Sequence, residues 1–214
     1  MYKRPDWTGN EALMLNGNPL PYTMLDYWKL NLSDILLNMN RGGFAEFIVQ
    51  SALTYRGANA LSQEKNGTEP WDIDGPMILT PDGKRCSRIE VKSAASVQID
   101  TPDEKEPISL PDTQITFSIR KAIDWSAGDE IPRHNNELYV FCHYTATRKN
   151  DNMLDLSFWD FYVMSTARIE ADPSLSQQKT ISLYRLKKLG IPRVGFSDLY
   201  DTILSELKAY YTLA

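Results

Sequence analysis

The chain of 214 residues has the length of one large domain, and its 42% hydrophobic and 24% charged residues are ordinary for a globular protein. Its net charge of −5 argues against a protein that coats nucleic acid non-specifically, because such proteins need an excess of lysine and arginine. No apolar run is long enough to span a bilayer, and the first residues lack the apolar centre of a signal peptide. For the same reason we expect no membrane partner. Two cysteines without a CxxC spacing form no disulfide or metal framework, which favours a cytoplasmic location.

The first part of the chain is predicted to be an arm followed by two helices. Residues 1–22 are rich in Asn, Gly and Pro without periodicity, which predicts an extended arm ahead of a single domain over residues 23–214. Apolar residues at helical spacing predict a helix from residue 23 to about residue 37 and another over residues 44–57. The sequence "NRGG" between them predicts a break.

The middle of the chain is predicted to form strands, and its end two helices. Residues 76–80 and 87–93 flank the turn sequence "PDGKR" and predict a hairpin. Alternation predicts a strand at "QITFSIR", and the segments "ELYVFCHYTA" and "SFWDFYVMST" predict two more. One late helix should be capped by Ser182 and the other by Ser197 or Asp198. This order predicts one α/β (α+β) domain with a central mixed β-sheet.

Acidic residues and a Glu-x-Lys sequence lie on the two strands of the predicted hairpin. Asp72 and Asp74 stand at the entry to its first strand, and Glu90 and Lys92 share one face of the second. Adjacent strands are about 4.8 Å apart, so one carboxylate from each can reach the same cation. Oxygen ligands suit Mg²⁺, and Lys92 beside them would stabilise charge on a phosphate. The alternative is a solvated strand face with an ion pair of little energetic weight.

This constellation resembles the PD-(D/E)xK nuclease superfamily, and the segments around it resemble uncharacterised bacterial restriction-endonuclease-like proteins. The segments are "RGGFAEFIVQSAL", "WDIDGPMILTPDGKR", "IEVKSAASVQ", "ITFSIR", "LYVFCHY", "DFYVMST" and "QKTISLYRLKKLG", over roughly residues 25–207. The resemblance implies a restriction-endonuclease-like core in which helices flank the sheet. It also implies a Mg²⁺-dependent DNA endonuclease that hydrolyses phosphodiester bonds in restriction or defence, with Mn²⁺ as a substitute.

The resemblance assigns roles to residues of the hairpin. Asp74 and Glu90 become metal ligands, together with the main-chain carbonyl of Val91. Lys92 becomes the catalytic lysine. The two aspartates are closer in sequence than the superfamily pattern, so Asp72 is left as the alternative ligand or as a residue that supports the site; Asp74 is preferred because it leads directly into the strand.

Further residues of the implied site lie outside the hairpin. Glu46 matches a helical acidic residue that many members place near the metal, although its place beside an apolar stripe also suits a residue facing water. Gln98 matches a glutamine that in some members follows the Glu-x-Lys strand and contacts the site or the DNA. Residues 173–197 contain five basic and no acidic residues, which favours contacts with DNA phosphates over a solvated helix face. The candidates are Lys179, Arg185, Lys187 and Lys188.

DNA is the predicted partner, and a twofold homodimer is the default by analogy with enzymes that cut both strands of a palindrome. The alternative function is a catalytically inactive DNA-binding or protein-interaction module on the same fold. The acidic net charge favours that alternative, and the intact set of Asp, Glu and Lys disfavours it. Cys142 and His143 are adjacent on a predicted strand, so they should point to opposite faces and form no nucleophile–base pair.

Overall fold

The structure of the chain is a computed structural model, and it describes residues 7–55, 69–97, 110–125 and 127–213. A 3₁₀ turn, Leu156–Phe158, comes directly before the strand that begins at Trp159. In chain order, the strands and helices of that part are β1 (Ala12–Leu15), β2 (Asn18–Thr23), α1 (Met24–Leu32), α2 (Asn38–Tyr55), β3 (Ile73–Thr80), β4 (Gly83–Ala95), β5 (Thr116–Ser118), β6 (Leu138–Tyr144), β7 (Trp159–Ser165), α3 (Thr166–Ala171), β8 (Thr180–Ser182), α4 (Leu183–Lys188), α5 (Phe196–Tyr210) and β9 (Thr212–Leu213).

A five-stranded mixed sheet forms the centre of the fold, in the order β7-β6-β4-β3-β9. β3 and β4 form the predicted antiparallel hairpin, in which Ile73 is opposite Ile89. β6 runs parallel to β4 and places Tyr139 opposite Glu90, whereas the other neighbours are antiparallel. β4 is therefore paired with β3 from Gly83 to Ile89 and with β6 from Ile89 to Ala95, and this pairing determines which of its side chains face each layer.

Each face of the sheet is covered by a different layer. On one face, α2 and α5 pack their apolar side chains against Ile89 and Val91 of β4. On the other face, β5 and β8 pair as a small sheet, and Phe117 of β5 packs with Tyr139 and Phe141 of β6. Because both sides of β6 are covered, all seven of its residues are buried.

The structure confirms the prediction of a mixed sheet flanked by helices. It also confirms that Ser182 caps α4, where its hydroxyl accepts a hydrogen bond from the main-chain N–H of Arg185. The cap of α5 is Gly195 rather than Ser197 or Asp198. Within the described residues, no helix is both long and apolar enough to cross a membrane.

The predicted break at "NRGG" is wrong, because α2 runs through it with Gly42 and Gly43 inside the helix. Arg41 is buried in the first turn and donates hydrogen bonds to the Leu36 carbonyl and to the Asn38 side chain. Two glycines disfavour a helix by about 1 kcal/mol each. The Arg41 contacts and the packing of the rest of α2 on the sheet outweigh that cost.

Part of the predicted arm forms a hairpin that is followed by a poorly buried helix. β1 and β2 are antiparallel, and the turn between them places Asn16 and Gly17 in the left-handed region, with φ of 51° and 83°. Thr23 then caps α1 in a capping box with Asp26. α1 buries none of its residues, and Leu30 on it is 85% exposed.

We expect two glycine-to-alanine substitutions to have opposite effects on stability. In Gly43→Ala, the new Cβ meets no atom of the described residues within 4 Å outside its own helix, so alanine should raise the free energy of unfolding by about 0.5–1 kcal/mol. In Gly75→Ala, the Cβ would lie 2.5 Å from Ser87 Oγ and 2.7 Å from Ile89 Cδ1. This overpacking should lower the free energy of unfolding by about 1–3 kcal/mol. Urea unfolding measures both, and a loss of stability in Gly43→Ala would contradict a continuous α2.

Candidate active site

The Glu-x-Lys strand presents its charged residues on the face of the sheet that α2 does not cover. Ile89 and Val91 point into the core under α2, and Glu90 and Lys92 point the opposite way. The side chain of Glu90 is only 18% exposed and that of Lys92 only 28%. The pair is therefore largely shielded from water instead of forming a fully solvated strand face.

Asp72 joins this pair from the neighbouring strand. Its main-chain N–H donates to the Ile89 carbonyl at 3.0 Å, which places Asp72 beside Glu90 at the start of the hairpin. Its Oδ2 accepts a hydrogen bond from the Val91 N–H at 2.8 Å and lies 3.5 Å from Lys92 Nζ. Glu90 Oε1 is in direct contact with the same ammonium group. One lysine thus links two carboxylates that come from adjacent strands.

The electrostatics of this cluster favour the addition of positive charge. Burial is the main cause that raises the pKa of Glu90, and the charges of Asp72 and, to a smaller extent, Glu46 raise it further, against the opposing effect of Lys92. Burial alone would lower the pKa of Lys92, but the attraction of both carboxylates outweighs it and raises that pKa. The Glu90 carboxylate is therefore incompletely compensated, and Lys92 is a protonated ammonium at neutral pH.

Asp74 makes a different set of contacts on the same face. It is paired in register with Arg88, two residues before Glu90 on β4. Its Oδ1 accepts a hydrogen bond of 2.9 Å from the indole N–H of Trp71. The ring of Trp71 in turn lies under the guanidinium of Arg88, 4.2 Å from it. No hydrogen bond or ion pair within the described part of the chain links Asp74 to Glu90.

The other predicted residues of the site have different placements. Glu46 lies on α2, partly buried, and its charge contributes to the raised pKa of Glu90. Gln98 lies outside the described residues. The structure thus brings together Asp72, Glu90 and Lys92, with Glu46 within electrostatic reach.

Trp71 and Arg88 were absent from the predicted site, although they lie beside it. A signal for Arg88 was present in the sequence, because the alternation of β4 places it on the same face as Glu90. No local pattern shows that Trp71 folds back onto Arg88, since that contact requires the register of the hairpin.

Two of the predicted DNA-contacting residues are paired with acidic side chains from other parts of the chain. Arg185 Nη2 lies 2.9 Å from Asp172 Oδ2, and Lys187 Nζ lies 2.7 Å from Asp112 Oδ2. Asp172 and Asp112 lie outside residues 173–197, so the charge of that segment alone did not reveal these ion pairs. Lys179 and Lys188 are exposed.

Cys142 and His143 form no nucleophile–base pair, as predicted. Cys142 is completely buried in the core under α2, and burial raises the pKa of its thiol. His143 Nε2 is instead hydrogen-bonded to Ser96 Oγ at 3.0 Å. A buried neutral thiol is a poor nucleophile, so Cys142 is not a candidate for nucleophilic catalysis.

The carboxylate cluster provides ligands that suit a hard divalent cation. The described residues contain no group of three or more His, Cys, Asp and Glu side chains arranged to hold a metal ion. Two carboxylates are nevertheless sufficient for Mg²⁺, which keeps several waters and accepts main-chain oxygens. Within the described chain, Asp72 Oδ1 and Glu90 Oε2 accept no hydrogen bond, so each carboxylate retains an oxygen for a cation. The residues therefore fit Mg²⁺ or Mn²⁺.

Comparisons of the chain with protein-family models, with curated proteins and with solved structures gave no match. The resemblance to the PD-(D/E)xK superfamily therefore stays a prediction made from the sequence.

We expect Lys92→Met to destabilise the protein by about 1–2 kcal/mol at pH 7, because Asp72 and Glu90 lose the ammonium group between them. The pKa of Glu90 should then rise further. A raised carboxyl pKa costs stability only where the group is ionised, so the deficit should shrink as the pH falls from about 7 to about 5.

Thermal unfolding across this pH range measures the deficit. Lys84→Met is the matched control, because Lys84 is an exposed lysine on the same strand and its replacement should change the melting temperature little. Equal losses in the two variants, without pH dependence, would contradict the assigned cluster.

Proposed function

We propose that the protein is a Mg²⁺-dependent DNA endonuclease with a restriction-endonuclease-like core, acting in restriction or defence. The main support is the cluster in which Lys92 links Asp72 and Glu90 across two adjacent strands. Phosphodiester hydrolysis needs oxygen ligands for a cation and a fixed positive charge for the phosphate, and this cluster has both. The mixed sheet flanked by helices agrees with the fold that the resemblance implies.

In this proposal Asp72, rather than Asp74, is the aspartate ligand. Asp72 and Glu90 hold the cation, with the carbonyl of Val91 as a third protein oxygen. When bound, Mg²⁺ or Mn²⁺ supplies Lewis-acid chemistry that neutralises phosphate charge and acidifies water. Asp74 has the separate task of holding Trp71.

Lys92 acts as a charge and a hydrogen-bond donor. The attraction of the two carboxylates outweighs burial and raises the pKa of Lys92, which favours its protonated form as a donor. A protonated lysine beside the reacting phosphate stabilises the negative charge that develops during hydrolysis. Glu46 is the further acidic residue whose charge reaches Glu90, and we assign it to orienting water at the site. Gln98, a homodimer for double-strand cleavage and a cytoplasmic location remain predictions of the sequence.

A protein-interaction module without catalytic activity is the second candidate. The observation in its favour is α1, which buries no residue and exposes apolar side chains such as Tyr27 and Leu30, at 51% and 85%. Such a module needs neither a metal nor the contact between Lys92 and Glu90. Metal-dependent cleavage of DNA therefore separates the two candidates.

We expect the protein to nick or linearise supercoiled plasmid in the presence of Mg²⁺. Glu90→Ala, Lys92→Ala and Asp72→Asn should each lower the rate by at least about 100-fold, because each removes a cation ligand or the charge that stabilises the phosphate. Asp74→Asn should lose far less, because an asparagine oxygen still accepts the Trp71 hydrogen bond. Gel electrophoresis of the plasmid over time gives these rates.

Asp198→Asn is the control for this series, since Asp198 is an exposed residue in the first turn of α5. Cleavage that survives EDTA or the loss of Glu90 would contradict the proposed chemistry. A loss in Asp74→Asn as large as that in Asp72→Asn would contradict the choice of Asp72 as the ligand.

A further inference from the structure

A partly buried arginine beside the carboxylate cluster has donors without acceptors. Arg88 lies two residues before Glu90 on the same face of β4. Its main-chain N–H donates to Glu137 Oε2 at 2.7 Å, but within the described chain its guanidinium forms no hydrogen bond and no ion pair. A guanidinium has five N–H donors, and those of Arg88 meet no acceptor among the described residues, so they can donate to an incoming ligand. The arrangement indicates a site for an anionic ligand.

The guanidinium of Arg88 is held in place before any ligand arrives. It lies 4.2 Å from the centre of the Trp71 ring, in a cation–π contact. The indole N–H of Trp71 is fixed by Asp74 Oδ1 at 2.9 Å, and Asp74 is the register partner of Arg88. Arg88, Trp71 and Asp74 thus form a closed set in which each residue is held by the other two. A donor fixed in this way loses less entropy when it binds an anion.

A cleft of about 530 Å³ opens beside Arg88, between the tip of the β3–β4 hairpin and the segment that leads into β6. Arg85 and Arg133 also line it, but they are paired with Glu137 and Asp129 respectively. Among the described residues, Arg88 is thus the arginine of this cleft whose charge is not compensated by an ion pair.

We propose that Arg88 binds the phosphodiester group next to the one that is hydrolysed, and that the cleft receives the nucleotide attached to it. This inference rests on the proposed nuclease function. The Cα atoms of Arg88 and Glu90, two residues apart on β4, are separated by about 7 Å, which is similar to the spacing of consecutive phosphates along a DNA strand. The planar guanidinium can donate two parallel hydrogen bonds to phosphate oxygens. Arg88 is a binding residue in this account, and Trp71 and Asp74 position it.

The test is the binding of a fluorescent DNA duplex of about 20 base pairs, measured by anisotropy with Ca²⁺ in place of Mg²⁺. Arg88→Gln should weaken binding by about 10-fold and reduce the slope of log K against log salt concentration by about 1, because one phosphate contact is lost. Arg88→Lys should keep the salt slope of the wild type but only part of its affinity, since lysine keeps the positive charge and lacks the planar guanidinium.

Steady-state cleavage with Mg²⁺ adds a readout that a merely structural effect would not reproduce. Arg88→Gln should raise KM while the maximal rate at saturating DNA changes by less than about threefold. Arg148→Gln is the matched control, because Arg148 is an exposed arginine beyond the end of β6 that is remote from the cleft. The DNA affinity and salt slope of this variant should equal those of the wild type.

The outcomes separate this inference from the proposed function. Wild-type affinity and salt slope in Arg88→Gln, with cleavage by the wild type intact, would overturn the role of Arg88 and leave the nuclease standing. A wild-type protein that neither binds nor cleaves DNA would overturn both. Circular dichroism shows whether Arg88→Gln is folded. If it is not, Arg88→Lys is the deciding variant, and a wild-type affinity in Arg88→Lys would overturn the bidentate contact.

Discussion

The fold and the candidate site both depend on the pairing of β4 with β3 on one side and with β6 on the other. β3 pairs with β4 up to Ile89 and β6 pairs with it from Ile89 onward. Together they fix the alternation of β4, so that Ile89 and Val91 enter the core under α2 while Glu90 and Lys92 point to the opposite face of the sheet. A register slip of one residue would exchange the two faces and place both charges under α2. The free energy of burying the apolar face therefore also holds the charged cluster in its geometry.

Two sets of contacts lie side by side on the charged face and have different tasks. In one, Lys92 neutralises part of the charge of two carboxylates that are suited to a cation. In the other, Trp71 holds the guanidinium of Arg88 beside an open cleft. Under the proposed function, the cation and Lys92 would act at the reacting phosphate, and the guanidinium of Arg88 would bind the neighbouring phosphate.

Features governed by local pattern were predictable from the sequence, and those governed by register or distant partners were not. The alternation that places Glu90 and Lys92 on one face was predictable, as was the cap at Ser182. Both Asp72 and Asp74 point to that face, and only the pairing across the hairpin shows that Asp72 is the one beside Glu90. The predicted break at "NRGG" was wrong because the buried contacts of Arg41 outweigh the low helix propensity of the glycines. The free positive charge of the basic segment was overestimated because Asp112, which pairs with Lys187, lies 75 residues away in sequence.

The most direct test of this account is the position of a bound cation in crystals grown with Mn²⁺, which anomalous scattering locates without any assumption about activity. The account predicts one strong peak in direct contact with the carboxylates of Asp72 and Glu90. A peak bound by Asp74 instead, or no Mn²⁺ on this face at millimolar concentration, would contradict it.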